Sequence, residues 1–417
     1  MAAAAGPLPA QARPGWHPRW LLASPHRLCF AAGSAMLSVA ALWWLLALGW
    51  PSALPERWYI APGLAHAVLM CFGFMPLFFA GFLFSAGPRW LALPALRAAA
   101  LLPGVLACLL GWAAFLAGVH LAAPLAAAGL AGVALAWSHW SRRFWRLLRS
   151  STRADRTHAR VIAAACSVGG AALWAVSLAV ALGSPALAES ALALGLWGFL
   201  APVYLAVLHR LIPFFTTLAV PWLDARWPRW LLWSWLALLA LQALFALGRQ
   251  AGLPVAGPAV LLDAAGGGLL VALAVRWNRL PGGRLRLPLM LQSGVLWLGL
   301  GLCLQAGSLP VGHLPPGRLG LAPAALHAVT MGFFGSVLLA MVSRMACGLG
   351  GRTVVADDPL WLLFKLLQLS VLQRLLATWA GPAWLLWAAA TWAVAVFAWS
   401  MRYLRWYGRP RADGRPG

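Results

Sequence analysis

Two histidines in apolar segments have matching surroundings and could bind a metal. Residues 326–352, LHAVTMGFFGSVLLAMVSRMACGLGGR, form a predominantly apolar, helix-length segment with His327 near its start. Far upstream, another apolar segment carries His66, and its pentapeptide HAVLM matches HAVTM at His327. A histidine inside lipid is costly to bury, so it usually serves a ligand, a partner or a proton. We therefore predict that the two helices face each other and hold a metal centre between them.

The methionines that follow these histidines leave the kind of metal open. Met70 and Met331 each end the shared pentapeptide, so in a helix each lies one turn from its histidine on the same face. Two histidines at one depth on parallel helices could ligate an iron from opposite faces of a haem. Imidazole with thioether is instead a soft ligand set that suits copper. The structural alternative is that the histidines cap or join helices and the methionines fill the core.

Three other polar residues interrupt or end apolar runs. Arg374 lies near the depth expected for the histidine pair and is our candidate partner for haem propionates, the alternative being an arginine that snorkels or bonds helix carbonyls. His209 begins HRLIPFFT, where Pro213 should end a helix. By helix length His209 lies roughly 25 Å or more from the pair, so it could serve only a second site. Asp263 suggests a proton or cation step, or a partner for a buried arginine.

The elements that must position these residues are membrane helices. The chain has 417 residues, of which 63% are hydrophobic and 9% are charged, too little polar surface to cover a soluble globule of this size. The formal charge of +23 does not indicate nucleic-acid binding, because the arginines fall between apolar segments. Six scattered cysteines without a CxxC pair argue against a disulfide framework, a covalent haem site and a zinc knuckle.

Apolar runs of about 20 residues predict an all-α, polytopic membrane helix bundle with about twelve transmembrane helices. We expect a basic N-terminal arm at 1–27, a membrane domain at 28–407 and a disordered tail at 408–417. Arginines concentrate in alternate loops and at both termini, which places both ends in the cytoplasm of a bacterial inner membrane. The predicted spans are 28–50, 61–86, 99–121, 124–140, 161–182, 188–208, 230–247, 254–275, 287–305, 322–345, 360–380 and 383–403.

Three stretches of the chain resemble the NnrS family of bacterial membrane proteins. They are HAVLMCFGF with GFLFSAGPRW around His66, HRLIPFFT at His209, and HAVTMGFFGSVLLAMVSRMACGLGGR from His327. The resemblance implies an inner-membrane protein of denitrifying and related bacteria that carries haem and copper and responds to nitric oxide or nitrosative stress. It implies metal binding at His66, His209 and His327, and it leaves open whether the protein is an enzyme.

The chain departs from the family pattern at two places. The family's first motif usually reads like HAHEM, whereas Val68 and Leu69 stand here in place of the second histidine and the glutamate. The family tends to read LGHTGR after the last motif, whereas residues 348–352 read GLGGR without the histidine. Two rival functions remain: a transporter for copper or a small solute with Asp263, Lys365 and Arg374 along its path, and an assembly protein whose histidines only pack.

Overall fold

The residues that the structure describes form twelve long helices and contain no strand. The computed structural model describes residues 15–219, 228–279, 285–309 and 321–414, without the side chains of residues 212–219. Three helices, α2, α6 and α10, change from α-helical to π-helical geometry part of the way along. The helices are α1 (Pro25–Gly49), α2 (Pro62–Val68, Leu69–Gly73 and Met75–Trp90), α3 (Leu102–Leu121), α4 (Ala123–Ser150), α5 (Thr157–Leu182), α6 (Pro185–Leu194, Gly195–Leu200 and Ala201–Ala219), α7 (Arg229–Gln250), α8 (Ala256–Asn278), α9 (Arg286–Ser308), α10 (Leu321–His327, Ala328–Gly335 and Ser336–Leu349), α11 (Asp358–Ala380) and α12 (Pro382–Tyr407).

The predicted bundle of about twelve membrane helices is confirmed as an all-helical, polytopic architecture. Eleven of the twelve helices are long and apolar enough to cross a membrane. The twelfth, α4, is apolar in its first half, carries arginines in its second half, and packs between α3 and α5. Two helices are clearly longer than their predicted spans. Helix α4 continues to Ser150 instead of ending at residue 140, and α6 continues to Ala219 instead of ending at residue 208.

The prediction that Pro213 ends the sixth helix is wrong. The last segment of α6 runs from Ala201 to Ala219, so Pro213 lies inside it. A proline lacks the N–H that would bond the carbonyl four residues earlier, which here is the carbonyl of His209. A helix can nevertheless continue past a proline when its surroundings hold it, and α6 packs on α5 and α7 along this part of its length.

Glycines allow two pairs of helices to approach until their backbones touch. A Cβ added to Gly111 of α3 would lie 2.7 Å from the carbonyl oxygen of Gly129 in α4. In the same way, a Cβ on Gly267 of α8 would lie 2.7 Å from the carbonyl oxygen of Gly299 in α9. Because lipid provides no hydrophobic force between helices, such small-residue contacts are a main source of membrane helix association.

The arginine-rich loops lie together at one end of the bundle. Ser151 donates to the carbonyl of Leu91 (2.8 Å) and Arg143 to that of Ala100 (3.1 Å), which joins the loop after α2 to the end of α4. The side chain of Arg229, before α7, pairs with Asp155, before α5, at 3.1 Å. The predicted alternation of basic and non-basic loops therefore matches the arrangement of the helices.

The first and last segments that the structure describes, around His17 and Gly408, meet at this same end of the bundle. The backbone N–H of His17 donates to the carbonyl of Gly408 (2.8 Å), and Arg27 donates to the carbonyl of Arg409 (2.6 Å). Arg411 donates to the carbonyl of Leu349 at the end of α10 (3.1 Å). These contacts hold residues 408–414 against the bundle, although the sequence predicts a disordered tail at 408–417. Residues 415–417 lie outside the described part of the chain.

Candidate functional site

The predicted ligand residues line one cavity inside the bundle. The cavity has a volume of about 450 Å³ and is enclosed by α1, α2, α6, α10, α11 and α12. His66 and Met70 of α2, His327 and Met331 of α10, and Arg374 of α11 all contribute to its walls. The two copies of the pentapeptide, which are more than 250 residues apart in the sequence, therefore line the same cavity.

The cavity is bordered by the three π-helical segments of the bundle. Leu69–Gly73 contributes Met70, Gly195–Leu200 contributes Trp197, and Ala328–Gly335 contributes Met331. A π-helical turn contains an extra residue and re-aims the side chains around it, and such turns occur frequently at functional sites. In both pentapeptides the histidine comes just before this change of geometry and the methionine lies within it. Three such turns around one cavity make it the candidate functional site of the described residues.

The imidazole of His327 is held in one tautomer by its own helix. Its Nδ1 lies 2.7 Å from the carbonyl oxygen of Pro323, one turn earlier. Because a carbonyl oxygen can only accept, Nδ1 carries the proton and donates it, and Nε2 keeps its lone pair. Ligating histidines almost always have this arrangement, in which the second ring nitrogen donates to a carbonyl or carboxylate. His327 is thus prepared to bind a metal through Nε2.

His66 is positioned by stacking against Trp44 of α1. The two rings are nearly parallel, with an angle of 19° and centroids 3.9 Å apart. The Nδ1 atom of His66 is buried and has no hydrogen-bond partner. Leaving a buried polar atom without a partner costs about 1–3 kcal/mol in a folded protein, so the position of His66 is consistent with a ligand that uses its imidazole.

Arg374 brings a positive charge to the cavity without a matching carboxylate. Its Nε is buried without a hydrogen-bond partner, and none of the described acidic residues pairs with its guanidinium. The side chains of His66, His327 and Arg374 are close enough for their charges to interact. An uncompensated cation in a mostly apolar cavity favours a ligand that carries a negative group.

The donor set fits haem better than a metal held by protein atoms alone. Within the described ranges, no group of three or more His, Cys, Asp or Glu side chains could hold a metal ion. A haem needs only one or two axial ligands from the protein, because its porphyrin supplies the other four nitrogens. The cavity offers two imidazoles, Arg374 for a propionate, and walls that include Trp197 and Trp392 for the macrocycle. Two imidazoles with two thioethers also form a soft set in which copper could bind.

The first place at which the chain departs from the pattern of the family it resembles, Val68 and Leu69, belongs to the core. Val68 and Leu69 have no exposed surface, and neither lines the cavity. Their neighbours Ala67 and Met70 do line it. The apolar residues that replace the family's second histidine and glutamate therefore pack between helices, while His66 keeps its place in the cavity wall.

His209 does not reach the cavity but pairs with His158 elsewhere in the bundle. The Nε2 of His209 lies 3.2 Å from the carbonyl oxygen of Pro228, so this nitrogen donates. Its Nδ1 must then accept a hydrogen bond from the Nε2–H of His158, 3.0 Å away. This histidine pair joins α5 and α6, and because His209 does not line the cavity, it does not share a metal bound by His66 or His327.

The polar residues proposed for a transport path do not come together. Asp263 is fully buried and accepts hydrogen bonds from Gln242 and, at 3.0 Å, from Gln305. Lys365 is exposed on α11, and of the three predicted path residues only Arg374 lines the cavity. Asp263 thus belongs to a buried network of α7, α8 and α9, with amide donors as its partners.

Sequence reasoning missed the aromatic walls and the contribution of α6. Trp44, Trp197 and Trp392 line the cavity, yet nothing in the sequence distinguishes them among 27 tryptophans. The segment GLWGFL at 195–200 also gave no sign of π-helical geometry, because its apolar residues fit an ordinary membrane helix.

One family model matches nearly the whole chain. The model, described as NnrS protein, matches residues 20–411. No curated protein and no solved structure matches the chain. The match covers all twelve helices and both histidines of the cavity, so the chain belongs to the NnrS family.

Proposed function

We propose that the chain is a haem-binding membrane protein that acts in the response to nitric oxide or nitrosative stress, with copper as an additional or alternative metal. The observation that carries the proposal is the convergence of His66, Met70, His327, Met331 and Arg374 on one cavity. Membership of the NnrS family supports the same function. We place the protein in a bacterial inner membrane with its arginine-rich end and both termini in the cytoplasm.

The residues of the cavity divide the binding task between them. His327, whose Nδ1 is fixed by Pro323, would bind the metal through Nε2, and His66 would offer the second imidazole from the other pentapeptide. Arg374 would hold a negatively charged substituent of the ligand by charge-assisted hydrogen bonds. A bound haem would supply an iron centre that can bind nitric oxide and exchange electrons.

The proposal is tested by an optical spectrum together with metal analysis. The chain is expressed with haem supplied and purified in mild detergent, and its iron and copper are measured per protein. We expect a Soret band and at least one iron per chain, with a spectral shift when nitric oxide is added to the reduced protein. A colourless preparation with less than stoichiometric iron and copper would falsify the proposal.

The rival function of a transporter makes a different prediction. A copper or solute transporter would be colourless and would take up its substrate in proteoliposomes. The separation of Asp263 and Lys365 from the cavity offers no support for the path that was predicted for it. Uptake by a colourless protein would favour the transporter, whereas coloured protein without uptake would favour the haem site.

A further inference from the structure

A cluster of arginines at the basic end of the bundle lacks negative partners of its own. Residues 142–160 contain seven arginines and one acidic residue, Asp155. The carboxylate of Asp155 pairs with Arg229 of α7, 3.1 Å away. In the part of the chain that the structure describes, Arg142, Arg146, Arg149 and Arg160 form no ion pair. Their mutual repulsion favours the binding of an anion.

The arginines line two neighbouring grooves. Trp145 and Arg149 contribute to both grooves and form the ridge between them. The first groove lies along α4 and is lined by Arg142, Trp145, Arg146 and Arg149. The second lies between α4 and α5 and contains Trp145 and Arg149 again, together with Arg156 and Arg160. Arg142, Arg146 and Arg149 follow the helical spacing of one face, so they form a continuous stripe. Arg149 can therefore contribute to both grooves.

Trp145 gives the ridge a fixed position. Its indole N–H donates to the hydroxyl of Ser167 in α5, 2.9 Å away. Arg156 is held as well, because its guanidinium donates to the carbonyls of Leu148 (3.2 Å) and Ser151 (2.9 Å) at the end of α4. The Nε of Arg156 remains buried without a partner beside the second groove. The grooves are thus formed by anchored side chains as well as by exposed arginines.

The second groove continues into apolar surface toward the middle of the bundle. Val161 and Ala164 of α5 and Trp233 of α7 form its other wall. Trp233 is 53% exposed, which is a large aromatic surface for a ligand to cover. A soluble anion would use only the arginines, whereas a lipid would use the arginines and this apolar wall together.

We propose that these grooves bind an anionic phospholipid with two phosphates, of the cardiolipin class. One phosphate lies in each groove, Arg149 binds both, and acyl chains cover Val161, Ala164 and Trp233. Guanidinium groups bind phosphate oxygens in a bidentate manner, which suits arginine at such a site. A phospholipid with one phosphate fills one groove only and therefore binds more weakly.

Native mass spectrometry of the full chain in mild detergent tests this proposal. Cardiolipin, phosphatidylglycerol at equal phosphate, and inorganic pyrophosphate are added separately. We expect a one-to-one adduct with cardiolipin, at an affinity at least about fivefold above that of phosphatidylglycerol, since each additional basic residue near an anionic lipid adds roughly fivefold. Equal affinity for phosphatidylglycerol would overturn the two-phosphate site. Equally strong binding of pyrophosphate would identify a soluble diphosphate as the ligand and overturn the lipid.

Two double variants that each remove two positive charges distinguish lipid binding in the grooves from attraction by the positive charge of the whole surface. An Arg149→Gln, Arg160→Gln double variant is expected to bind cardiolipin roughly 25-fold more weakly. The matched control, Arg97→Gln with Arg143→Gln, removes two charges from the same end of the bundle outside the grooves and is expected to stay within about twofold of wild type. Equal losses in both variants would overturn the proposal. Thermal unfolding checks that each variant is folded.

Discussion

His327 donates its Nδ1–H to the carbonyl oxygen of Pro323 across 2.7 Å, within the same helix. This hydrogen bond orients the ring and leaves the lone pair of Nε2 available for a metal. An alanine at position 327 removes the imidazole and leaves the carbonyl of Pro323 within its own helix. We therefore expect His327→Ala to lose the Soret band or to shift it, with haem content reduced at least about tenfold.

The control for this prediction is a histidine outside the cavity. The Nδ1 of His120 in α3 lies 3.2 Å from the carbonyl oxygen of Arg57, its ring is tilted by 57° against that of Trp58, and it does not line the cavity. His120→Ala should keep the wild-type spectrum. A normal spectrum in His327→Ala would instead show that another residue is the axial ligand.

Arg374 should contribute to haem affinity through its charge. Because the described residues offer it no carboxylate, we expect it to pair with an anionic group of the ligand. Arg374→Gln keeps much of the side-chain volume and removes the charge, so haem affinity should fall about tenfold, the effect of one charge-assisted hydrogen bond. Titration of the apoprotein with haem measures this directly.

The same helix supplies a matched control for that titration. Lys365 is also a cation on α11, but its side chain is exposed and does not line the cavity. Lys365→Gln should leave the haem affinity unchanged. If both variants lost affinity equally, the effect would reflect the overall charge of the protein and not a contact in the cavity.

His209 provides a test of how many metal sites the chain has. It is hydrogen-bonded to His158 and lies outside the cavity. His209→Gln should therefore keep the Soret position and the cavity's iron. A loss of a second, separate metal in this variant would assign that metal to the histidine pair, whereas loss of the Soret band itself would contradict the separation of the two sites.

The sequence predicted the helices well because membrane spans are set by length and hydropathy. It also predicted a site shared by His66 and His327, because a repeated pentapeptide in apolar segments is hard to explain by packing alone. Both residues line one cavity, and metal binding there stays a prediction. It could not predict the π-helical turns, which depend on how α2, α6 and α10 pack around the cavity. Nor could it predict that α6 continues past Pro213, because tertiary contacts outweigh the local cost of a proline.

Gly111 should be intolerant of even a methyl group. A Cβ there would lie 2.7 Å from the carbonyl oxygen of Gly129 and 2.8 Å from Val133, so α3 and α4 would have to separate. We expect Gly111→Ala to lose about 1–3 kcal/mol of stability, as overpacked contacts do. Gly132→Ala in α4 is the control, because its Cβ would meet nothing within 4 Å and the change favours helix. In thermal unfolding in detergent, we expect a lower midpoint for Gly111→Ala and no lowering for Gly132→Ala.

Asp357 should make the stability of the basic end depend on pH. Burial raises the pKa of this carboxyl, but hydrogen bonds from Arg402 (2.5 Å) and from the backbone N–H of Leu360 (3.2 Å) outweigh burial, so the pKa is lowered overall. A group with a lowered folded-state pKa stabilises the protein above its unfolded value of about 3.9, and this contribution is lost as pH falls through the folded-state pKa.

Asp357→Asn isolates this charge, because asparagine can still cap the start of α11. We expect the variant to unfold at a lower temperature than wild type at pH 7, and the difference to shrink as pH falls below about 4. The neighbouring Asp358 is the control: its side chain is 89% exposed in its pair with Arg286, so Asp358→Asn should have a smaller effect. A difference between wild type and Asp357→Asn that stayed constant down to about pH 3 would mean that shape, and not the charge of Asp357, stabilises this end of the bundle.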